Sequence, residues 1–141
     1  MRNKMITFFV VLLALSLGLF FIAGNNAATV VINGQKFSAS LATTPAERQK
    51  GLGDRDSLCR NCAMLFKFEK KGDYMFWMKD MRFDLDIIWI ADGKIVYIAK
   101  DISHEALNTI DPKTPADNVL EINAGLAERY GFKIGDAISI K

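Results

Sequence analysis

A single histidine and two cysteines are all that this 141-residue sequence offers as nitrogen and sulfur ligands. A closed four-ligand zinc site would need an unusual ligand set. With no second histidine and no Gly-x-Ser-x-Gly elbow, nucleophile chemistry lacks its usual partners. There is no phosphate loop, no internal repeat and no low-complexity tract. Charge of one sign is also scarce. The formal net charge is +2, and Arg2 and Lys4 supply it ahead of the first apolar run. The rest of the chain holds sixteen basic and sixteen acidic residues. A neutral domain without a basic cluster makes nucleic acid a poor partner, because phosphate contacts dominate that affinity. What the chain does have is apolar content. Half of its residues are hydrophobic and 24% are charged, enough for a core in one soluble domain.

The longest apolar run is Met5 to Ala23, interrupted only by Thr7, Ser16 and Gly18. As a helix it would be about 28 Å long, close to the roughly 30 Å of a hydrocarbon core. Arg2 and Lys4 precede it, and the next charge is Lys36. That asymmetry predicts a short cytoplasmic end at 1–4 and a membrane anchor at 5–23, with the folded part outside the cytoplasm. A cleaved signal peptide is the alternative, which would leave a secreted or periplasmic protein. Its usual apolar region is shorter, and no clean A-x-A site follows. Residues 24–28 are small and polar and read as a tether. Residues 29–141 then form one compact, β-rich extracytoplasmic domain.

Within that domain, Asn33-Gly34 between Thr29–Ile32 and Gln35–Leu41 is a strong hairpin signal. Thr44-Pro45-Ala46-Glu47 spells a capping box with proline at the first helical position, and Gly51 suits the helix end. Ala63–Phe68, Tyr74–Lys79, Leu85–Ile90, Lys94–Ile102, Val119–Ile122 and Ala137–Ile140 read as strands. Lys71-Gly72-Asp73 and Asp92-Gly93 read as turns between them. Asn123 is expected to cap a second short helix, Ala124–Tyr130, ended by Gly131. The expected class is α+β: a mostly antiparallel, barrel-like sheet with two short helices, preceded by one N-terminal hydrophobic helix.

These elements carry a resemblance. The chain resembles the domain of unknown function 192 family, through Glu47-Arg48, Gly51-Leu52, Arg55, Leu58, Met64-Leu65-Phe66, Phe76-Trp77-Met78-Lys79, Leu85-Asp86-Ile87, Val119-Leu120-Glu121, Gly125 and Gly135-Asp136. The match spans about residues 29–141. It implies a compact β-rich domain behind a signal or anchor, as in bacterial and archaeal relatives, and no established activity. The sequence departs from the family pattern at Gly53, Ala63, Asp80, Met81 and Asp84, which stand where methionine, glycine, asparagine, threonine and proline are usual.

Four residues are candidates for a binding surface: Arg48, Trp77, Lys79 and Asp86. On a strand, Trp77 and Lys79 would share one face, and an aromatic beside a cation suits sugars, carboxylates or flat ligands. The alternative places Trp77 in the core. Asp86 lies inside an apolar run, so it should be semi-buried and need a cation, with Arg48 foremost and Lys79 second. Glu47 is assigned to the capping box, while His104 and Glu121 stay ambiguous. Cys59 and Cys62 should form a small structural disulfide outside the cytoplasm. The residues name no cofactor and no metal. The functional expectation is a membrane-tethered or exported domain that binds a small ligand or an envelope component. Its rivals are a thiol–disulfide protein using Cys59 and Cys62, and a carboxylate hydrolase using Asp84 and Asp86.

Overall fold

The computed structural model describes residues 26–141. The expected cytoplasmic end, the anchor or signal of 5–23 and the start of the tether lie outside the described residues. The elements in chain order are β1 (Ala27–Ile32), β2 (Gln35–Ala42), α1 (Pro45–Lys50), β3 (Cys62–Gly72), β4 (Leu85–Ala91), β5 (Lys94–Ile102), β6 (Ala116–Asn123), α2 (Leu126–Arg129) and β7 (Ile138–Ile140). Ala27 and Ala28, read as tether, already belong to β1. No helix among the described residues is long and apolar enough to cross a membrane.

Local chemistry accounts for the turns. Asn33 and Gly34 both have positive φ, 48° and 79°, as do Asp92 and Gly93 at 51° and 70°. Such pairs make the primed turns that match the twist of two antiparallel strands. At α1, the Thr44 hydroxyl accepts the Glu47 N–H at 3.2 Å, and Glu47 Oε2 accepts the Thr44 N–H at 3.0 Å. The Thr44 N–H and then the Thr43 N–H, which donates to the same oxygen at 2.8 Å, hold the Glu47 carboxyl below its usual pKa.

The sheet has seven strands in the order β5-β4-β6-β3-β2-β1-β7. Every pair is antiparallel except β2 and β3, whose parallel pairing needs the crossover that carries α1. The sheet curls until its two ends touch. Lys94 bridges Ala137, and the Ile95 N–H donates to Asp136 O at 3.0 Å. Inside the curl lies one apolar cluster, including Phe37, Leu65, Ile88 and Leu120, and α2 contributes Leu126 and Ala127 to it. A second cluster lies on the outer face of β3, β6 and β4, with Phe66, Ile87, Trp89 and Val119. Every residue of β4 is buried, because both of its faces are covered.

Two expectations fail for reasons of topology. Tyr74–Lys79 is not a strand. Its only β-type pairing among the described residues is an isolated Phe76–Ile110 bridge. The expected hairpin partner, β3, already has β2 and β6 on its two edges, so no edge is left to pair. Residues 73–84 instead cross the outer face as irregular chain. Asn123 does not cap α2 either. Its Nδ2 donates to the carbonyls of Leu58 and Cys59, at 3.0 and 3.1 Å, and the helix begins after Gly125 in the left-handed region.

A cavity over the outer face of the sheet

The irregular chain 74–81 does not lie flat on the sheet. It leaves a cavity of about 270 Å³ between itself, the end of α1 and the outer face of β3. The walls are aromatic. Phe68 and Tyr74 stack with an 11° angle between their planes, and Phe76 meets Phe66 edge-on at 4.8 Å between centroids. Phe76 also abuts the buried Trp89 ring, whose Nε1 donates to Tyr74 O at 2.8 Å. Edge-to-face contacts and that bond hold the covering chain in place without a strand ladder.

Cations stand around these walls. The Arg48 guanidinium lies 5.1 Å from the Phe68 ring centroid, and its Nη1 donates to Thr43 O and Lys67 O at 2.6 and 3.0 Å. Lys79 Nζ lies 5.4 Å from the Trp77 centroid, and Trp77 is 48% exposed. Trp77 and Lys79 therefore meet as expected, though on irregular chain. Neither Arg48 nor Lys79 has a carboxylate partner among the described residues, whereas Lys50 pairs with Asp54.

Glu121 completes the cavity from β6. It pairs with Met64 on β3 and with Ile87 on β4, so its side chain shares the outer face with theirs. It is 4% exposed, and its Oε2 has no hydrogen-bond partner. Burial raises its carboxyl pKa to about 8, which leaves the group mostly neutral at pH 7. The run Val119-Leu120-Glu121-Ile122 held the signal that would have found it: a carboxyl set between apolar neighbours, as for Asp86.

Asp86 does not belong to this cavity. It is fully buried, deeper than the semi-burial read from its neighbours, and its partner is not a cation. Oδ1 accepts the Asp101 N–H and Oδ2 the Ala127 N–H, each at 2.8 Å. Side chains alternate along β4, so Ile87 faces the cavity side while Asp86 faces the inside of the curl. Arg48 and Lys79 lie on the other side of the sheet, which is why the expected ion pair does not form.

The remaining candidates are spread apart. Asp84 Oδ1 accepts the His104 N–H at 2.7 Å and lies 2.6 Å from His104 Nδ1. The first of these contacts, then the second, holds the Asp84 carboxyl below its usual pKa. Asp84 and Asp86 are thus engaged with different partners, and Arg82 pairs with Asp56. Cys59 and Cys62 are joined by a disulfide across the loop that enters β3. No group of three or more metal-ligating side chains occurs among the described residues.

Solved structures share this fold. A Sinorhizobium meliloti 1021 protein described as a candidate transcription regulator matches with a TM-score of 0.75 and 30% identity, over 81% of this chain and 92% of its own. A Novosphingobium aromaticivorans DSM 12444 protein of unknown function matches with a TM-score of 0.74 and 34% identity, over 80% of this chain and 83% of its own. No curated protein matches. The family model described as DUF192, Uncharacterized ACR, matches residues 28–140, and the chain belongs to that family.

Proposed function

We propose that the domain binds a small ligand in the cavity over β3 and β6, and that residues 5–23 tether it to, or export it across, the cytoplasmic membrane. The observation that carries the binding reading is the buried, partnerless Glu121 oxygen on an aromatic-walled cavity. A buried polar atom without a partner costs roughly 1–3 kcal/mol, so a fold that keeps one invites a use for it. Arg48, Trp77 and Lys79 form the part of this surface that a ligand would meet first. Asp86 has a structural task instead, tying β4 to β5 and α2.

The test is a titration of the full-length chain with a panel of sugars, carboxylates, amines and nucleotides, followed by backbone amide NMR. Binding at this site should shift the amides of Arg48–Leu52, Tyr74–Lys79 and Glu121 together. Shifts confined to the Cys59–Cys62 loop would favour thiol–disulfide exchange. The loop's setting supports a staple more than a redox centre: β3 rather than a helix follows Cys59, and a lowered thiol pKa usually needs a helix N-terminus. Carbonate washing of membranes tests the tether. An anchored chain stays with the membrane at full mass, and a cleaved one is released smaller.

A further inference from the structure

The cavity brings three chemistries together. Its walls are flat and apolar, formed by Phe66, Phe68, Tyr74 and Phe76. Two of its cations, Arg48 and Lys79, lack carboxylate partners among the described residues, and both are held against an aromatic ring. From β6, Glu121 lines the same space, and its buried Oε2 has no partner. An apolar wall selects an apolar body, partnerless cations select an anion, and an orphan oxygen selects a polar group that can hydrogen-bond to it.

Resting on the reading of this cavity as a ligand site, we propose that it takes a small organic acid with a flat apolar body, whose carboxylate meets Lys79 and Arg48 and whose hydroxyl at the far end meets Glu121. The volume of about 270 Å³ has room for a single substituted ring. An amine in place of the carboxylate would stand beside partnerless cations, and like charges repel most strongly where water is scarce. A ligand without the hydroxyl would leave Glu121 Oε2 as it is now.

Glu121 also makes this binding depend on pH. While neutral, its carboxyl does not oppose an anionic ligand; once ionised, it does. The other titratable or charged groups around the cavity are Arg48 and Lys50 from α1, and Tyr74 and Lys79 from the covering chain. From β3 and β4, the residues paired with Glu121 are the apolar Met64 and Ile87. Replacing Glu121 by Gln separates its titration from those of the other groups.

The experiment uses the full-length chain and three probes: 4-(hydroxymethyl)benzoate, 4-methylbenzoate and 4-(hydroxymethyl)benzylamine. Calorimetry should show the first binding best, with the methyl analogue weaker by roughly tenfold, the worth of about one hydrogen bond. The amine should show no measurable affinity. Between about pH 6 and about pH 9, the affinity for 4-(hydroxymethyl)benzoate should fall by roughly tenfold or more in the wild type. In the Glu121→Gln variant it should stay level, and Lys79→Met should weaken it at every pH. If the amine binds better than the benzoate, the cavity is a ligand site but the organic-acid proposal is overturned. If none of the probes binds, the proposal is also overturned, and the wider NMR panel decides separately whether the cavity binds anything.

Discussion

Asp86 and Glu121 are two carboxyls on neighbouring strands of one sheet, and both are buried. They face opposite sides. Asp86 lies against the inner core and accepts two backbone N–H groups, one from the β5 edge and one from the first turn of α2. Glu121 lies on the outer face and leaves an oxygen without a partner. The depth of burial does not separate them; the supply of N–H donors does. Irregular backbone at Asp101, where φ is 52°, and at the start of α2 brings free N–H groups to Asp86. The strands beside Glu121 spend theirs on the ladder. Full satisfaction fits a carboxyl that builds the fold, and the missing partner is what the ligand proposal for Glu121 rests on.

Replacing Asp86 by Ala should be the most damaging change. It strands two buried N–H groups, at roughly 1–3 kcal/mol for each. Urea unfolding should therefore show a loss of about 2–6 kcal/mol. A loss below about 1 kcal/mol would mean that the N–H groups find other acceptors, and the contrast with Glu121 would dissolve.

Glu121 should act through pH. Its folded pKa is raised to about 8 from the ordinary 4.5, so between these values the folded protein holds a proton that the unfolded chain releases. Its contribution is therefore fully present at acid pH and is lost as pH rises through that window. The slope is about 1.4 kcal/mol per pH unit, or about 3 kcal/mol between pH 5 and pH 7. Unfolding free energies of wild type and Glu121→Gln, compared at those two pH values, should diverge by that amount in favour of the variant. A constant difference would show that Glu121 is solvated or partnered in the folded state.

The disulfide should matter less. Cys59 and Cys62 close a very small ring, and the chain-entropy account allows about 2 kcal/mol for it. The double serine variant should lose no more than that in thermal unfolding, and its cavity amides should keep their NMR positions. A larger loss would make the loop, with its two bonds to Asn123, part of the core support of β3.

Smallest in stability are Trp77→Ala and Lys79→Met. Their cation–π contact is exposed and is worth about 0.5–1 kcal/mol. Both variants should unfold within about 1 kcal/mol of wild type while losing ligand affinity. A loss of several kcal/mol from either would move that residue from the binding surface to the structural side of the comparison.

Much of the fold was legible because its signals are local. Asn33-Gly34 and Asp92-Gly93 make their turns from the φ preferences of two residues, and Thr44 and Glu47 close their box within one helical turn. The burial of Asp86 was legible from its apolar neighbours; Trp77 and Lys79 do meet, but not on the strand from which their shared face was read. The strand read at Tyr74–Lys79 was wrong because its pattern suits any chain that packs aromatics on a surface. The partner of Asp86 was wrong because backbone N–H groups from residues 101 and 127 leave no trace in a sequence.

By itself, then, the sequence determined the turns, the helix cap, the apolar periodicity of the strands and the family to which the chain belongs. Those depend on contacts a few residues long or on patterns that the chain carries openly. Only the tertiary structure decided that β6 inserts between β3 and β4, and with that which face each carboxyl takes. Strand order is set by the packing of distant segments, and a side chain's face follows from register. Asp86 and Glu121 carry the same local signature, so only their placement in the assembled sheet separates the structural carboxyl from the one on the cavity.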